Sequence, residues 1–387
     1  MAQVDGVPVA LNVGSSFSAS GAIPPRRIPF LVYRDRIGAP SELAFLRRQY
    51  IGFSRMEPVW IGRMLLPQAR EVGPRLLRLG GEGRLGFIRR VLFRHCGMVP
   101  PLSFKDLAPV VHAQFARGGA LALPLARALE ARLVVTLHGG DVGKDKNWSN
   151  TMLSRRWPAL IEATQHFVCV SNAVAEVAAR RGVPFGKLTV LPIGVEVPDT
   201  PPKPPSPPSY HLFVGRFVEK KGIAIIAEAV RRLRAEGDST PVVFVGDGPL
   251  RPLLESLARD VSGIELAGWL SPDAVRARMA AAWSLLVPSV IAANGDAEGL
   301  PSVVPEAMAQ SCPVIGSYEG GIAEAIRHDA TGLLVSPGDA PALADAMRRV
   351  GDPALRNRLG QAGFRAASAE LNARIQSVKL EALLLGD

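Results

Sequence analysis

The sequence predicts an α/β protein of two doubly wound domains, and three observations carry that prediction. At 387 residues the chain is too long for one ordinary hydrophobic core. Short apolar runs alternate with segments of helical period in both halves, the pattern of parallel sheets covered by helices on both faces. Between the halves lies Pro198-Asp199-Thr200-Pro201-Pro202-Lys203-Pro204-Pro205-Ser206-Pro207-Pro208. Proline at that density fits neither a helix nor a central strand, so 198–208 reads as a stiff connector.

Residues 1–27 hold Gly, Ser and Pro with little periodicity and are expected to form a loose extension. The first domain then runs over 28–197, with strands at 29–33, 109–112, 132–137, 166–170 and 188–191. Its helices fall at 41–50, 118–129, 157–164 and 173–181, the last of them capped by Ser171. The second domain, 209–358, has strand runs at 210–214, 242–245, 264–267, 284–287, 314–317 and 332–335. Helical periods follow at 222–234, 250–259 and 272–282, from near Ser302, and at 322–326 and 341–350. The final segment, 359–387, is read as one helix over 359–385.

Composition narrows the function classes. Hydrophobic residues at 48% and charged residues at 21% fit a soluble globular chain. No run of 18 apolar residues is present to span a membrane, and the N-terminus lacks a secretory pattern. Cys96, Cys169 and Cys312 are odd in number and lack metal-site spacing, which suits reduced, mostly buried thiols in a cytosolic protein. The net charge of +10 is concentrated in the first half: residues 26–94 hold 15 arginines against five acids. Such a field attracts anionic membranes, nucleic acids or acidic substrates. Aromatics do not interleave with these arginines, which argues against nucleic acid. Over 84–94, Leu85, Ile88, Val91 and Leu92 share one helical face while Arg84, Arg89, Arg90 and Arg94 crowd the others. That helix either lies on an anionic membrane surface or packs its apolar side on the core.

The most telling stretch is Glu298-Gly299-Leu300-Pro301-Ser302-Val303-Val304-Pro305-Glu306, a turn leading into a helix with a carboxylate at either end. Backbone N–H groups at such a helix start attract phosphate, and two carboxylates can accept the hydroxyls on either side of a diphosphate. The pattern reads as a site for a sugar nucleotide. Gly215-Arg216-Phe217 and Lys220-Lys221-Gly222 follow a strand, where Arg216 and Lys221 can meet a diphosphate. Gly246 ends the next strand in a Gly-Asp-Gly-Pro turn, and Gly268-Trp269-Leu270 ends the one after. Trp269 serves either base contact or packing. In the first half, Leu137-His138-Gly139-Gly140-Asp141 places a histidine on an open turn at a strand end. There is no Asp-x-Asp metal motif, so this reading requires no metal ion and no cofactor beyond the sugar nucleotide itself.

These motifs together resemble the family-4 retaining glycosyltransferases of GT-B fold, with their Glu-x7-Glu motif, Gly-Arg…Lys-Gly clamp and His-Gly-x-Asp turn. The resemblance is strong over 205–350, moderate over 130–197 and weak before 110. It implies two Rossmann-like domains across a cleft, with the last helix crossing back to the first domain. It implies a nucleoside-diphosphate sugar donor, UDP- or GDP-linked, with Arg216 and Lys221 on the diphosphate and Gly215, Gly246, Trp269 and Leu270 around the nucleotide. Glu298 would bind donor-sugar hydroxyls, with Gly299, Leu300, Pro301 and Ser302 beside it, Glu306 would hold the ribose, and His138 would face the transferred sugar. Gly139 and Asp141 would lie on the acceptor side. One departure is the loop after the first strand, Arg34-Asp35-Arg36-Ile37-Gly38-Ala39-Pro40-Ser41-Glu42, where the family often has a glycine-rich loop. It resembles the variant of exopolysaccharide-pathway members, with Ser41 as the substitute acceptor contact. The acceptor implied is lipid-linked or a saccharide, at the cytoplasmic face of the membrane. A nucleotide-sugar epimerase of the same fold and a non-catalytic basic binding protein are the alternatives.

Overall fold

The computed structural model describes residues 27–101, 109–144, 147–149, 151–203 and 209–387. The expected N-terminal extension, apart from Arg27, and residues 204–208 of the proline tract lie outside the described residues.

The first domain is a parallel seven-stranded sheet in the order β5-β3-β1-β6-β7-β8-β9. Its strands are β1 Ile28–Tyr33, β3 Met56–Gly62, β5 Leu76–Arg78, β6 Val110–Gln114, β7 Arg132–Leu137, β8 Thr164–Cys169 and β9 Leu188–Val190. The two-residue strands β2 Arg36–Ile37 and β4 Met64–Leu65 pair apart from it. Helices α1 Pro40–Arg48, α2 Gly83–Cys96, α3 Ala116–Ala128, α4 Gly140–Gly143, α5 Met152–Ala163 and α6 Asn172–Arg180 cover it. The strand β3 escapes the sequence pattern because it contains Glu57 and Pro58. Proline gives up a ladder donor, and Pro58 is tolerated because β5 pairs only with Trp60–Gly62.

The second domain is a parallel six-stranded sheet in the order β12-β11-β10-β13-β14-β15. Its strands are β10 His211–Val214, β11 Val242–Val245, β12 Ile264–Gly268, β13 Ser284–Val287, β14 Val314–Ser317 and β15 Leu333–Val335. Helices α7 Ile223–Ala235, α8 Arg251–Asp260, α9 Pro272–Ala280, α10 Val303–Ala309, α11 Gly320–Ala325 and α12 Ala340–Arg349 pack on both faces. Each sheet has a buried apolar cluster on either side, which is why the strands read as near-continuous apolar runs. Cys169 and Cys312 are buried and Cys96 is exposed. Among the described residues, no helix is long and apolar enough to cross a membrane.

The single helix expected over 359–385 is instead two. Helix α13 Pro353–Glu370 stays on the second domain, and the chain then turns at Leu371 and Asn372. Asn372 caps α14 Ala373–Leu385, and only this helix returns to the first domain. Leu380 and Leu384 join Phe30, Tyr50 and Trp60 in one core cluster. Glu381, buried at 3% exposure, accepts backbone N–H groups from Ser54, Arg55 and Met56 at 2.9, 2.7 and 2.7 Å.

In each sheet the strand order reverses once: between β1 and β6 in the first, between β10 and β13 in the second. Ligands of open α/β sheets collect at the carboxyl ends of the strands at such points.

Glu381→Ala strands three backbone donors and should cost roughly 3 kcal/mol. Urea denaturation followed by tryptophan fluorescence would read this, since Trp60 lies in the affected cluster. An unchanged midpoint would mean that α14 docks through its leucines alone.

Candidate active site

The two reversal points face each other, and backbone meets backbone between them. Gly139 adopts φ +110°, and a Cβ there would lie 2.8 Å from the Gly299 nitrogen. A Cβ on Gly299 would in turn lie 2.5 Å from the His138 carbonyl oxygen. Beside this contact opens a cavity of about 510 Å³, lined by Glu42, Phe45, Arg48, Phe115 and His138 from one domain and Lys220, Lys221, Glu298, Leu300, Pro301 and Ser302 from the other. That volume suits a small-molecule ligand.

The second-domain wall is a charge cluster. A 3-10 turn, Glu219–Lys221, follows β10 and leads through Gly222 into α7. Gly222 is required there, since its φ is +71° and a Cβ would meet the Pro288 oxygen at 2.0 Å. The turn aims both lysines at the segment after β13. Lys221 Nζ and Lys220 Nζ lie 3.1 and 3.2 Å from Glu298 Oε1, and Glu298 is only 9% exposed. Lys220 also reaches Asp296 at 3.1 Å, and Lys144 crosses from the first domain to Asp296 at 2.8 Å. Burial alone would raise the Glu298 carboxyl. The Lys221 and Lys220 ammonium groups outweigh it and hold it below its ordinary value of 4.5. Burial works against the Lys220 ammonium, but Glu298 and Asp296 prevail and raise its pKa.

Lys220, Lys144 and Asp296 were not singled out from sequence. The Lys-Lys pair signals a cationic turn, but which lysine faces inward depends on the turn geometry. Lys144 belongs to the other domain, and nothing local to it marks a partner 152 positions away.

Of the other expected donor-side residues, Leu300, Pro301 and Ser302 line the cavity, and Gly246 packs against Gly215 at the strand ends. Helix α10 has seven residues, so the dipole at its start is weak and the lysines dominate the local field. Trp269 is 71% exposed, which removes the packing alternative, while Leu270 packs on the core. Arg216 is exposed on the loop after β10 and does not line the cavity; the structure groups Lys221 with Lys220 instead. Glu306 is engaged from across the cleft by Arg48 of α1, Nη1 to Oε1 at 2.5 Å. Sequence reasoning could not supply that partner, 258 positions away.

On the first-domain side, His138 Nε2 lies 2.9 Å from Gln114 Oε1, and Gln114 Nε2 donates to the Tyr50 hydroxyl at 2.8 Å. Burial first, then Arg34 and His112, push the His138 pKa down to about 3, so its imidazole is neutral. Asp141 departs from its expected place on the acceptor side. Its carboxylate accepts the backbone N–H groups of His138 and Ala116 at 2.9 and 2.8 Å and fixes the turn rather than facing a ligand. Ser41 falls in α1, but its side chain lies outside the described residues. Helix α2 turns its apolar side outward: Leu85, Phe87, Ile88 and Val91 are exposed, Phe87 at 62%, while Gly86 and Phe93 face inward. The core-packing alternative for Leu85, Ile88 and Val91 therefore fails. Arg84 is exposed beside them, and Arg89, Arg90 and Arg94 are half-buried.

Two family profiles match the chain: Glycosyltransferase Family 4 over residues 88–198 and Glycosyl transferases group 1 over residues 208–352. WcaL of Escherichia coli K12, named as a colanic acid biosynthesis glycosyltransferase, is 31% identical over 285 residues, 70% of this chain and 67% of WcaL. The amylovoran biosynthesis glycosyltransferase AmsK of Erwinia amylovora is 30% identical over 252 residues, 63% of this chain and 61% of AmsK. Among solved structures, Anabaena Alr3699/HepE in complex with UDP is similar with a TM-score of 0.75, covering 94% of this chain and 100% of that one at 15% identity. That last likeness is one of fold.

Buried neutral histidines set a pH window for stability. His112 and His138 are held at about 3 and His211 at about 4 by burial, against an ordinary 6.5. The unfolded chain takes up these protons first, so stability should fall as pH drops from about 6.5 towards 4. The depressed Glu298 adds stability above its ordinary 4.5 that is lost below it. Urea midpoints measured from pH 7.5 to 5 should decline through the histidine window; a flat profile would mean that these rings protonate within the fold.

Proposed function

Because this chain belongs to the family-4, group 1 glycosyltransferases of GT-B architecture, we propose that it moves a sugar from a nucleoside-diphosphate sugar to an acceptor hydroxyl with retention of configuration. The observation that carries this reading is Glu298 buried under Lys220 and Lys221 on the wall of an interdomain cavity. Three lysines, 144, 220 and 221, meet two carboxylates there, so the cluster is one positive charge in excess. An arriving diphosphate draws the ammonium groups to itself and frees Glu298 to accept donor-sugar hydroxyls. Arg216, on the same loop as the lysines, adds a bidentate contact, and exposed Trp269 offers a surface to the base. Glu306, oriented by Arg48, takes the ribose hydroxyls.

The bond from the anomeric carbon to the phosphate oxygen breaks while the acceptor oxygen attacks from the same face. The acceptor proton passes to the departing phosphate, so no carboxylate nucleophile is needed. The lysines stabilise charge that develops on that phosphate, a contribution worth about 3 kcal/mol per clamp residue, or roughly a hundredfold in rate. Neutral His138 donates or accepts a hydrogen bond beside the transferred sugar without adding charge.

The acceptor in this reading is a lipid-linked saccharide, and the enzyme lies peripherally on the cytoplasmic membrane face. Exposed Leu85, Phe87, Ile88 and Val91 beside arginines support that placement, because apolar insertion and charge attraction act together on anionic lipid. The names of AmsK and WcaL support a role in polysaccharide assembly.

Thermal unfolding with UDP, GDP or ADP at 100 times the dissociation constant should show about 2.7 kcal/mol of stabilisation for one of them. No response to any would overturn the donor reading. Glu298→Ala should abolish transfer while nucleotide binding persists, whereas Lys220→Ala/Lys221→Ala should weaken binding itself. Equal loss of both in Glu298→Ala would make Glu298 structural.

Replacing Leu85, Phe87 and Ile88 with Ser should reduce sedimentation with phosphatidylglycerol vesicles, as should the pair Arg89→Glu and Arg90→Glu. Unchanged sedimentation in both variants would remove α2 from the membrane contact.

A further inference from the structure

We propose that the reversal point of the first sheet is a saccharide subsite, in which Glu42 accepts two hydroxyls of the acceptor's terminal pyranose and Phe45 packs against its apolar face. This rests on the reading above, and it names the residues that would hold the saccharide end of the acceptor. The location follows from topology. Strands β1 and β6 diverge there, and their carboxyl ends deliver Arg34 and Phe115 to the cleft.

The side chains form a built wall. Arg34 holds Glu42 bidentately, Nε to Oε2 at 2.8 Å and Nη2 to Oε1 at 2.7 Å. The Arg34 guanidinium sits 4.3 Å from the centre of the Phe115 ring, and the His138 ring centre lies 4.2 Å from it. Phe45 meets His138 at 5.3 Å between ring centres. Glu42, Phe45, Phe115 and His138 line the same cavity as Glu298 and Lys221, so a ligand here faces the donor site directly. Phe115 holds φ +68°, a strained backbone for a residue with a side chain, and such strain is retained where function requires the geometry. Phe115 and Arg34 are thus positioning residues, while Glu42 and Phe45 touch the ligand.

The chemistry selects the ligand class. A carboxylate next to an aromatic ring suits a pyranose, which presents adjacent hydroxyls on one edge and C–H groups on a face. The cations on this side, Arg34 and Arg48, are engaged by Glu42 and Glu306, which leaves phosphate to the lysines of the second domain. Arg34 occupies one lone pair on each Glu42 oxygen and leaves others for hydroxyl donors.

Saturation-transfer NMR with methyl glucoside, methyl galactoside and methyl mannoside tests this, using the full chain preloaded with whichever nucleoside diphosphate stabilises it. At least one glycoside should bind wild-type protein, and Glu42→Gln and Phe45→Ala should each weaken it by about tenfold or more. Phe45→Tyr should restore binding. Nucleotide-induced thermal shifts should be the same in all variants, which also shows that they are folded. If nucleotide binds and no glycoside does, or if the variants bind glycosides as well as wild type, the subsite is wrong and the donor reading stands. If no nucleotide binds, the donor reading fails, and the same spectra recorded without nucleotide still decide the subsite.

Discussion

The near-contact of Gly139 with Gly299 is the constraint on which the cleft depends. Neither position leaves space for a Cβ, so the two domains approach until main chain meets main chain. Everything flanking that contact is then set at short range: Lys144 reaches Asp296, Arg48 reaches Glu306, and the His138 turn faces the Glu298 turn. A side chain at either glycine would push the walls apart, because its Cβ would fall inside van der Waals contact with the facing main chain. Glu324 of α11 adds to the closed arrangement by accepting the N–H groups of Asn172 and Ala173 at the start of α6.

The pairs across the cleft are also substitutable. Each joins a cation to a carboxylate that a charged or hydroxylated ligand could engage in its place. Ligand entry therefore exchanges one set of charge-assisted bonds for another instead of desolvating bare ions, which is the costly alternative in a half-buried site. Asp141 behaves differently. Its oxygens are committed to backbone N–H groups, so it holds the His138 turn whether or not a ligand is present.

Much of this architecture is legible in the sequence, and the exceptions have physical causes. The second domain is readable because its strands are three to five largely apolar residues bounded by helices of clear period. The first domain is harder to read, because Pro58 and Glu57 interrupt β3 and the short β5 has no pattern of its own. Turn chemistry marks where Glu298, Lys221 and His138 cluster along the chain, since each follows a strand end. What the sequence cannot carry is pairing between distant segments: Arg48 with Glu306, Lys144 with Asp296, and Arg34 with Phe115. Orientation is equally hidden. The period of α2 defines an apolar face but not whether that face meets protein or solvent, and the break at Leu371 and Asn372 has no proline or glycine to announce it.

The return of α14 has a consequence for how the protein is made. The first domain is not encoded by the first half of the chain, because Leu380 and Leu384 complete its core and Glu381 satisfies three of its backbone donors. During synthesis, residues 28–197 emerge with an open apolar slot and unpaired N–H groups, and they stay so until nearly two hundred more residues have been translated. At about 5–20 residues per second that interval is on the order of ten seconds or more, long beside the folding time of a small domain. The second domain suffers no such delay and can fold first. Completion of the first domain is thereby deferred until the whole of the second has been translated.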